Sequence, residues 1–249
     1  MTSILRLHEI AESDHRILNP LTDAQLLELG TIARVGPTTR VLDLACGKAE
    51  MLCRWASEFG SSGTGVDISE VFVAAARQRA DELGVSDRVV VEHADASTYR
   101  PEPEAYDIGA CIGATWIGGG VAGTIDLLRP AVGPAGLLLI GECFWREPPP
   151  AEAYAVMGFG PDDFTDLVGL LDRFDAAGTD LVEMVVADEH SWDRYVAAQC
   201  WALRRWLDEH PDDPIAPDVR RFRDEARRAH LAYQRRYLGW GVFVLRPTH

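Results

Sequence analysis

Three aspartates stand at or just past the ends of short apolar runs: Asp43 in Val41-Leu42-Asp43-Leu44, Asp67 in Thr64-Gly65-Val66-Asp67-Ile68, and Asp95 in Val89-Val90-Val91-Glu92-His93-Ala94-Asp95-Ala96. Carboxylates at strand ends can hold the hydroxyl and amino groups of a ligand, so the elements around them matter. After the first run, Ala45, Gly47 and Ala49 supply three small side chains in five positions, and a turn built this way lets a ligand approach the backbone. Met51, Leu52, Trp55, Ala56 and Phe59 then recur at helical spacing. A helix starting there points free N–H groups and its positive dipole end back at the turn. The second run ends in an acid, and Ser69 is placed to cap the helix that follows. An acid at the end of the second strand of an α/β unit can hold two ribose hydroxyls, which makes Asp67 the ribose candidate of an adenosine cofactor.

Which adenosine cofactor is decided by the turn. A dinucleotide fingerprint needs glycine at its first, third and sixth positions, and this chain has Ala45, Gly47 and Glu50 there. A glutamate at the sixth place would crowd helix against strand and set a negative charge near a pyrophosphate. A nicotinamide oxidoreductase is also disfavoured because no Tyr-x-x-x-Lys pair exists, Lys48 being the only lysine. Arg40 to Glu50, RVLDLACGKAE, instead resembles the first motif of the class I S-adenosylmethionine-dependent methyltransferases in relaxed form, with Asp43 two residues before the first small position. The resemblance continues through the strand ending in Ala94-Asp95-Ala96, through Tyr106 to Ala114 as a fourth strand, and through Leu127-Leu128-Arg129-Pro130 and Gly133 to Glu142 as helix, turn and fifth strand. It covers roughly residues 35 to 145 in the order and spacing of that family.

The resemblance implies an α/β fold, a seven-stranded, doubly wound, mostly parallel sheet with an antiparallel last strand. It implies methyl transfer with S-adenosyl-L-methionine as cofactor. Asp43, Ala45 and Gly47 would hold the amino-acid end of that cofactor and Asp67 the ribose. Ile68 would meet the adenine face, Asp95 with Ala96 the adenine amino group, and Gly113 the methionine wall. A noncatalytic cofactor-binding module or partner subunit would keep the same three acids, and turnover separates the two readings.

Composition narrows the partners. The formal net charge is −15, a surface that repels phosphates and argues against DNA or RNA. The absence of an Asn-Pro-Pro-Tyr motif argues against nucleobase and glutamine side-chain acceptors. A small-molecule substrate is expected, with a homodimer left open. No stretch approaches a membrane-spanning length and the first residues lack a secretory apolar run, so a soluble, cytoplasmic protein is expected. The five cysteines are odd in number and form no C-x-x-C pair, which speaks against a disulfide framework and a metal site. Cys46, Cys111 and Cys143 fall near strand ends and leave a thiol-rich site as a minor alternative to ordinary buried cysteines.

The chain reads as a single domain, 1–249. Residues 1–35 form an N-terminal lid and a helix capped by Thr22; His15 in this segment is a candidate general base. After the fourth strand, Trp116 stands ahead of Gly118-Gly119-Gly120 at the sheet edge where ligands bind in open α/β folds. The fifth strand delivers Glu142, the first candidate for an acceptor-orienting group or base, and Trp145, before Pro148-Pro149-Pro150 set an extended loop. A helix is expected over 161–177 and a sixth strand over 181–186. His190 emerges after it at the same edge. Residues 191–236 form a helical cap inserted between the last two strands, whose Trp192 and Tyr195 suggest a mostly apolar or planar acceptor.

Overall fold

The structure, a computed structural model, describes residues 2–248. Its centre is a seven-stranded sheet of order β3-β2-β1-β4-β5-β7-β6, formed by β1 (Arg40–Leu44), β2 (Ser62–Asp67), β3 (Val89–His93), β4 (Tyr106–Ile112), β5 (Val132–Trp145), β6 (Thr179–Val186) and β7 (Leu238–Pro247). The pairs β1–β2, β1–β4, β2–β3 and β4–β5 are parallel. Strand β7 slots between β5 and β6 and runs antiparallel to both, so the expected antiparallel last strand is present. Strand order reverses at β1, where β2 leaves on one side and β4 on the other. That is the topological switch point, the place where open α/β sheets bind ligands.

The central strands are apolar along their length because helices cover both faces. On one face α2 (Asp23–Ile32), α3 (Glu50–Phe59) and α4 (Glu70–Glu82) bury Leu26, Leu29, Trp55, Val73 and Ala76 against Val41 and Val91. The Trp55 Nε1–H donates to the Leu26 carbonyl (2.9 Å) and locks α3 to α2. On the other face α5 (Val121–Leu128) and α7 (Leu167–Ala176) cover Leu42, Leu44, Cys111 and Phe243 with Ile125, Leu128 and Phe174. A third cluster lies off the sheet. There Leu7, Ile10 and Ala11 of α1 (Ile4–Ala11) pack on Leu203 and Leu207 of α8 (Glu189–Glu209) and on Ala216 and Val219 of α9 (Ala216–Ala229). The N-terminal segment is thereby docked on the helical insertion between β6 and β7.

Caps follow the sequence closely. Thr22 forms a full capping box with Gln25, and Ser69 caps α4. Three elements differ from expectation. The stretch after Pro148-Pro149-Pro150 is not an extended loop but a helix, α6 (Ala151–Met157), with Pro150 at its N-cap; a fixed proline φ suits a helix entry as well as it ends a strand. The helix expected over 161–177 begins only at Leu167, where Asp166 accepts from the Gly169 N–H. The helical insertion expected from residue 191 begins at Glu189, because Asp188 caps α8 through the Ser191 N–H (2.6 Å), and His190 lies exposed in its first turn. After α9 the chain makes one π-helical turn, His230–Gln234, then a short helical turn, α10 (Arg235–Tyr237), before β7.

Candidate functional site

At the carboxyl ends of β1 and β2 the backbone is bent tightly: Ala45, Gly47 and Ala49 all adopt left-handed φ values of 60, 56 and 51°. Two alanines held there cost about 1–2 kcal/mol each, strain of the kind found at ligand clamps. The Cys46 N–H bonds the Val66 carbonyl and the Gly47 N–H bonds Asp67 Oδ2 (2.8 Å). Asp67 Oδ1 accepts from the Ser69 N–H (2.8 Å). Asp67 thus orients the turn, and each of its oxygens still has lone-pair capacity for a ligand hydroxyl.

Asp43 is 3% exposed, and its Oδ1 is buried without any hydrogen-bond partner. Burial, and then the charge of Asp67, push its pKa well above the ordinary carboxylate range. Burial also raises Asp67, opposed by the backbone N–H groups of Ser69 and Gly47. A buried, orphaned carboxylate oxygen beside a turn of small residues fits a ligand carrying an ammonium group. The amino-acid end of S-adenosylmethionine has one. The third acid differs from these two: Asp95 is exposed, and Ser97 donates to it from both hydroxyl and backbone (2.7 and 2.9 Å), holding its pKa low.

These residues share one cavity of about 1550 Å³, lined on the sheet side by Asp43, Ala45, Gly47, Asp67, Ile68, Asp95, Ala96 and Gly113. It is larger than the range of about 300–1,000 Å³ that holds one drug-sized ligand, which leaves room for two reactants together. Gly113 has φ +83°, and a Cβ there would stand 3.6 Å from the Trp240 ring. Trp240, on β7, is a wall residue that sequence reading missed. Nothing local marks it, because β7 comes to lie beside β5 only by threading between β5 and β6.

Of the expected acceptor-side residues, Trp116, Trp192 and Tyr195 line the cavity. Trp116 is 74% exposed on the 3-10 turn Thr115–Gly118 and therefore is not a core residue. That turn lies so close to α5 that a Cβ on Gly118 would fall 2.2 Å from the Thr124 nitrogen, which explains the glycine. The remaining candidates are elsewhere. Trp145 is 6% exposed and packs edge-on against Tyr154 and Phe164, so it belongs to the core beneath α6. His190 faces solvent. Glu142 is buried outside the cavity lining: Thr115 Oγ1 donates to its Oε2 (2.5 Å) and the Cys143 N–H to its Oε1 (2.8 Å). Burial raises its pKa, opposed by the Thr115 bond. The carboxylate tethers the turn that carries Trp116 rather than facing a substrate.

His15 also falls outside the lining, but it leads to a group that does line it. Its Nδ1 lies 2.6 Å from Glu12 Oε2, and its ring stacks on Tyr195 at 4.7 Å. Glu12 Oε1 accepts from the Tyr195 hydroxyl (2.6 Å) and from Gln199 Nε2 (2.6 Å). Glu12 is 4% exposed and lines the cavity beside Tyr195 and Gln199. Sequence reading missed Glu12 because its partners come from α8, more than 180 residues away. Around this cluster stand Val156, Met157 and Phe159 after β5 and Trp192, Val196 and Phe222 of the insertion, a largely apolar wall.

Cys46 and Cys143 also border the cavity, but burial pushes both thiols well above their ordinary pKa, as it does Cys111. Among the described residues, no group of three or more His, Cys, Asp or Glu could hold a metal ion, and no helix is long and apolar enough to cross a membrane.

Comparison with known proteins accords with this geometry. The family described as "Methyltransferase domain" matches residues 41–124. The chain is 48% identical over 244 residues to the protein YjhP of Escherichia coli (strain K12), covering 97% of this chain and 98% of that one. It is similar to the crystal structure of an S-adenosylmethionine-dependent methyltransferase from Geobacter sulfurreducens in complex with S-adenosyl-L-homocysteine: TM-score 0.94, 48% identity, covering 99% of this chain and 100% of that one. A methyltransferase from Thiobacillus denitrificans, also in complex with S-adenosyl-L-homocysteine, is similar at TM-score 0.93 and 46% identity, with coverage of 99% and 100%. The match runs through the turn, the acids and the helical insertion alike, and the chain belongs to the class I S-adenosylmethionine-dependent methyltransferases.

Proposed function

We propose that the chain transfers the methyl group of S-adenosylmethionine to a small, mostly apolar or planar acceptor held between the sheet edge and the helical insertion. The observation that carries this reading is the continuity of one cavity from Asp43, Asp67 and Asp95 to Trp192, Tyr195 and Phe222. The cofactor supplies an activated methyl on a sulfonium. The acceptor atom's lone pair forms the new bond to carbon, the C–S bond breaks, and its electron pair stays on sulfur to give S-adenosylhomocysteine. The chain's part is to align the acceptor atom with methyl and sulfur and to exclude water. In this reading Asp43 pairs with the cofactor's ammonium and Asp67 with the ribose hydroxyls. Ile68, Asp95 and Ala96 take the adenine, and Ala45, Gly47 and Gly113 give close backbone approach to the methionine part.

On the acceptor side, Trp116, Trp192 and Trp240 supply flat apolar surface. The polar atom of the acceptor is assigned to the cluster of Glu12, Tyr195 and Gln199, the buried polar group on that wall. His15 then orients Glu12 rather than meeting the substrate. The acidic surface and the enclosed, apolar wall both favour a small molecule over a nucleic acid.

Titration calorimetry with S-adenosylhomocysteine tests the cofactor half. Asp67→Ala is expected to weaken binding by about 10–100-fold, the worth of one or two charge-assisted hydrogen bonds. An unchanged dissociation constant would overturn the ribose assignment.

A further inference from the structure

The chain's only lysine lies within the cofactor turn, between Gly47 and Ala49, yet its side chain leaves the turn for the N-terminal segment. Lys48 Nζ donates to the carbonyl oxygens of Glu12 (2.7 Å), Ser13 (3.2 Å) and His15 (2.7 Å). These carbonyls stand at and just beyond the C-cap of α1, near the negative end of its dipole, and that of Glu12 also accepts from the His15 N–H (3.1 Å). An ammonium carries three donors and no acceptor, so three carbonyls use it completely. Next to it Leu18 rests on the turn: a Cβ on Gly47 would stand 2.5 Å from Leu18 Cδ1. The same end of the segment is held from the other side by Glu12, bonded to Tyr195 and Gln199 of α8. Directly after these fastenings Ile17, Leu18, Asn19 and Pro20 form part of the cavity wall.

Cofactor turn and N-terminal segment thus touch each other beside the place where the cofactor's amino-acid end is read to lie, and both line the cavity. We propose that Lys48 is a positioning residue that fastens the N-terminal segment over the cofactor turn, so that cofactor exchange and opening of residues 12–20 are one event. This rests on reading the turn at 45–49 as the cofactor's seat. Backbone that grips the cofactor carries the fastening on its adjacent side chain, so a shift of the turn on cofactor release moves the ammonium away from its three carbonyls.

The wild-type protein provides the test. With one lysine, an acetylating N-hydroxysuccinimide ester reports on Lys48 and the α-amino group alone, resolved by peptide mass spectrometry. The ammonium reacts only when released from its carbonyls. Saturating S-adenosylhomocysteine is expected to slow acetylation of Lys48 about tenfold or more, as for a site reached through local opening, and to leave the α-amino rate unchanged. Equal Lys48 rates in protein shown by calorimetry to be saturated would overturn the fastening and spare the cofactor reading, whereas absence of binding would overturn that reading itself. Lys48→Met gives a second readout. Dissociation of S-adenosylhomocysteine, followed by stopped-flow tryptophan fluorescence, is expected to quicken about tenfold, and tryptic cleavage after Arg16 to rise relative to cleavage after Arg34. An unchanged dissociation rate, or equal rises at both arginines, would overturn the proposal.

Discussion

At the scale of single residues, the site sets stability against binding. Asp43 has a buried oxygen with no partner, and its pKa is raised first by burial and then by Asp67. A raised acid keeps a proton in the folded state that the unfolded chain has already lost. Its contribution is therefore full below its ordinary value near 3.8 and is lost as pH rises through the folded value, at up to about 1.4 kcal/mol per pH unit for one group. Asp67 and Glu142 add slopes of the same sign. Urea unfolding of the ligand-free protein reads the sum of this fall and the opposite slopes of the acids whose pKa values are held low, Glu82, Asp95, Asp188, Asp193 and Asp218. Asp43→Asn should flatten that fall and exceed wild type at the upper end by about 1–3 kcal/mol, while binding S-adenosylhomocysteine more weakly. A variant less stable than wild type throughout would contradict this. The acids were legible from sequence because each sits at or just past the end of a short apolar run. Glu142 and His15, expected as acceptor-facing groups, lie outside the cavity lining, because what fixes a side chain is its partner. Those partners, Thr115 for the first and Glu12 with Tyr195 for the second, are visible only once the chain is folded.

At the scale of elements, the glutamate that broke the dinucleotide pattern has a structural role. Glu50, 5% exposed at the first position of α3, is bound in a fork by Arg79 of α4 (2.7 and 2.8 Å). Side-chain bonds to Glu50 push the Arg79 pKa up. The pair joins the two helices that carry the turn and the Asp67 strand end. Arg79→Met would leave the buried Glu50 carboxylate with only the longer contact to Arg54 (3.9 Å), an expected loss of about 3–5 kcal/mol, whereas Glu50→Leu together with Arg79→Met should cost much less. A double-mutant cycle by urea unfolding checks this, and additive losses would refute the pair. Helices with clear caps, α2 and α4, were legible at their starts, Thr22 and Ser69. By contrast α6 was missed because a triple proline reads equally as strand stop and helix entry. The helical insertion expected from residue 191 starts two residues earlier, because Asp188 caps α8.

At the scale of the whole molecule, three of the parts that wall the cavity are distant in sequence: the switch point of the sheet, the N-terminal segment and the insertion between β6 and β7. The first was readable from local motifs. The closing of the other two over it was readable only in outline, since α1 is joined to α8 and α9 by an apolar cluster, Leu7, Ile10, Leu203, Leu207 and Val219, that no local pattern announces. The arrangement gives a chain of net charge −15 an apolar chamber beside an orphaned carboxylate. That combination suits a sulfonium cofactor with an ammonium group and a small acceptor. A crystal structure of this chain grown with S-adenosylhomocysteine examines the claim most directly. The ligand's ribose hydroxyls should lie within hydrogen-bond distance of Asp67 and its ammonium against Asp43 Oδ1, with the sulfur facing Gly113 and the chamber walled by Tyr195 and Trp240. A ribose turned away from Asp67, or a ligand bound outside this chamber, would contradict the account.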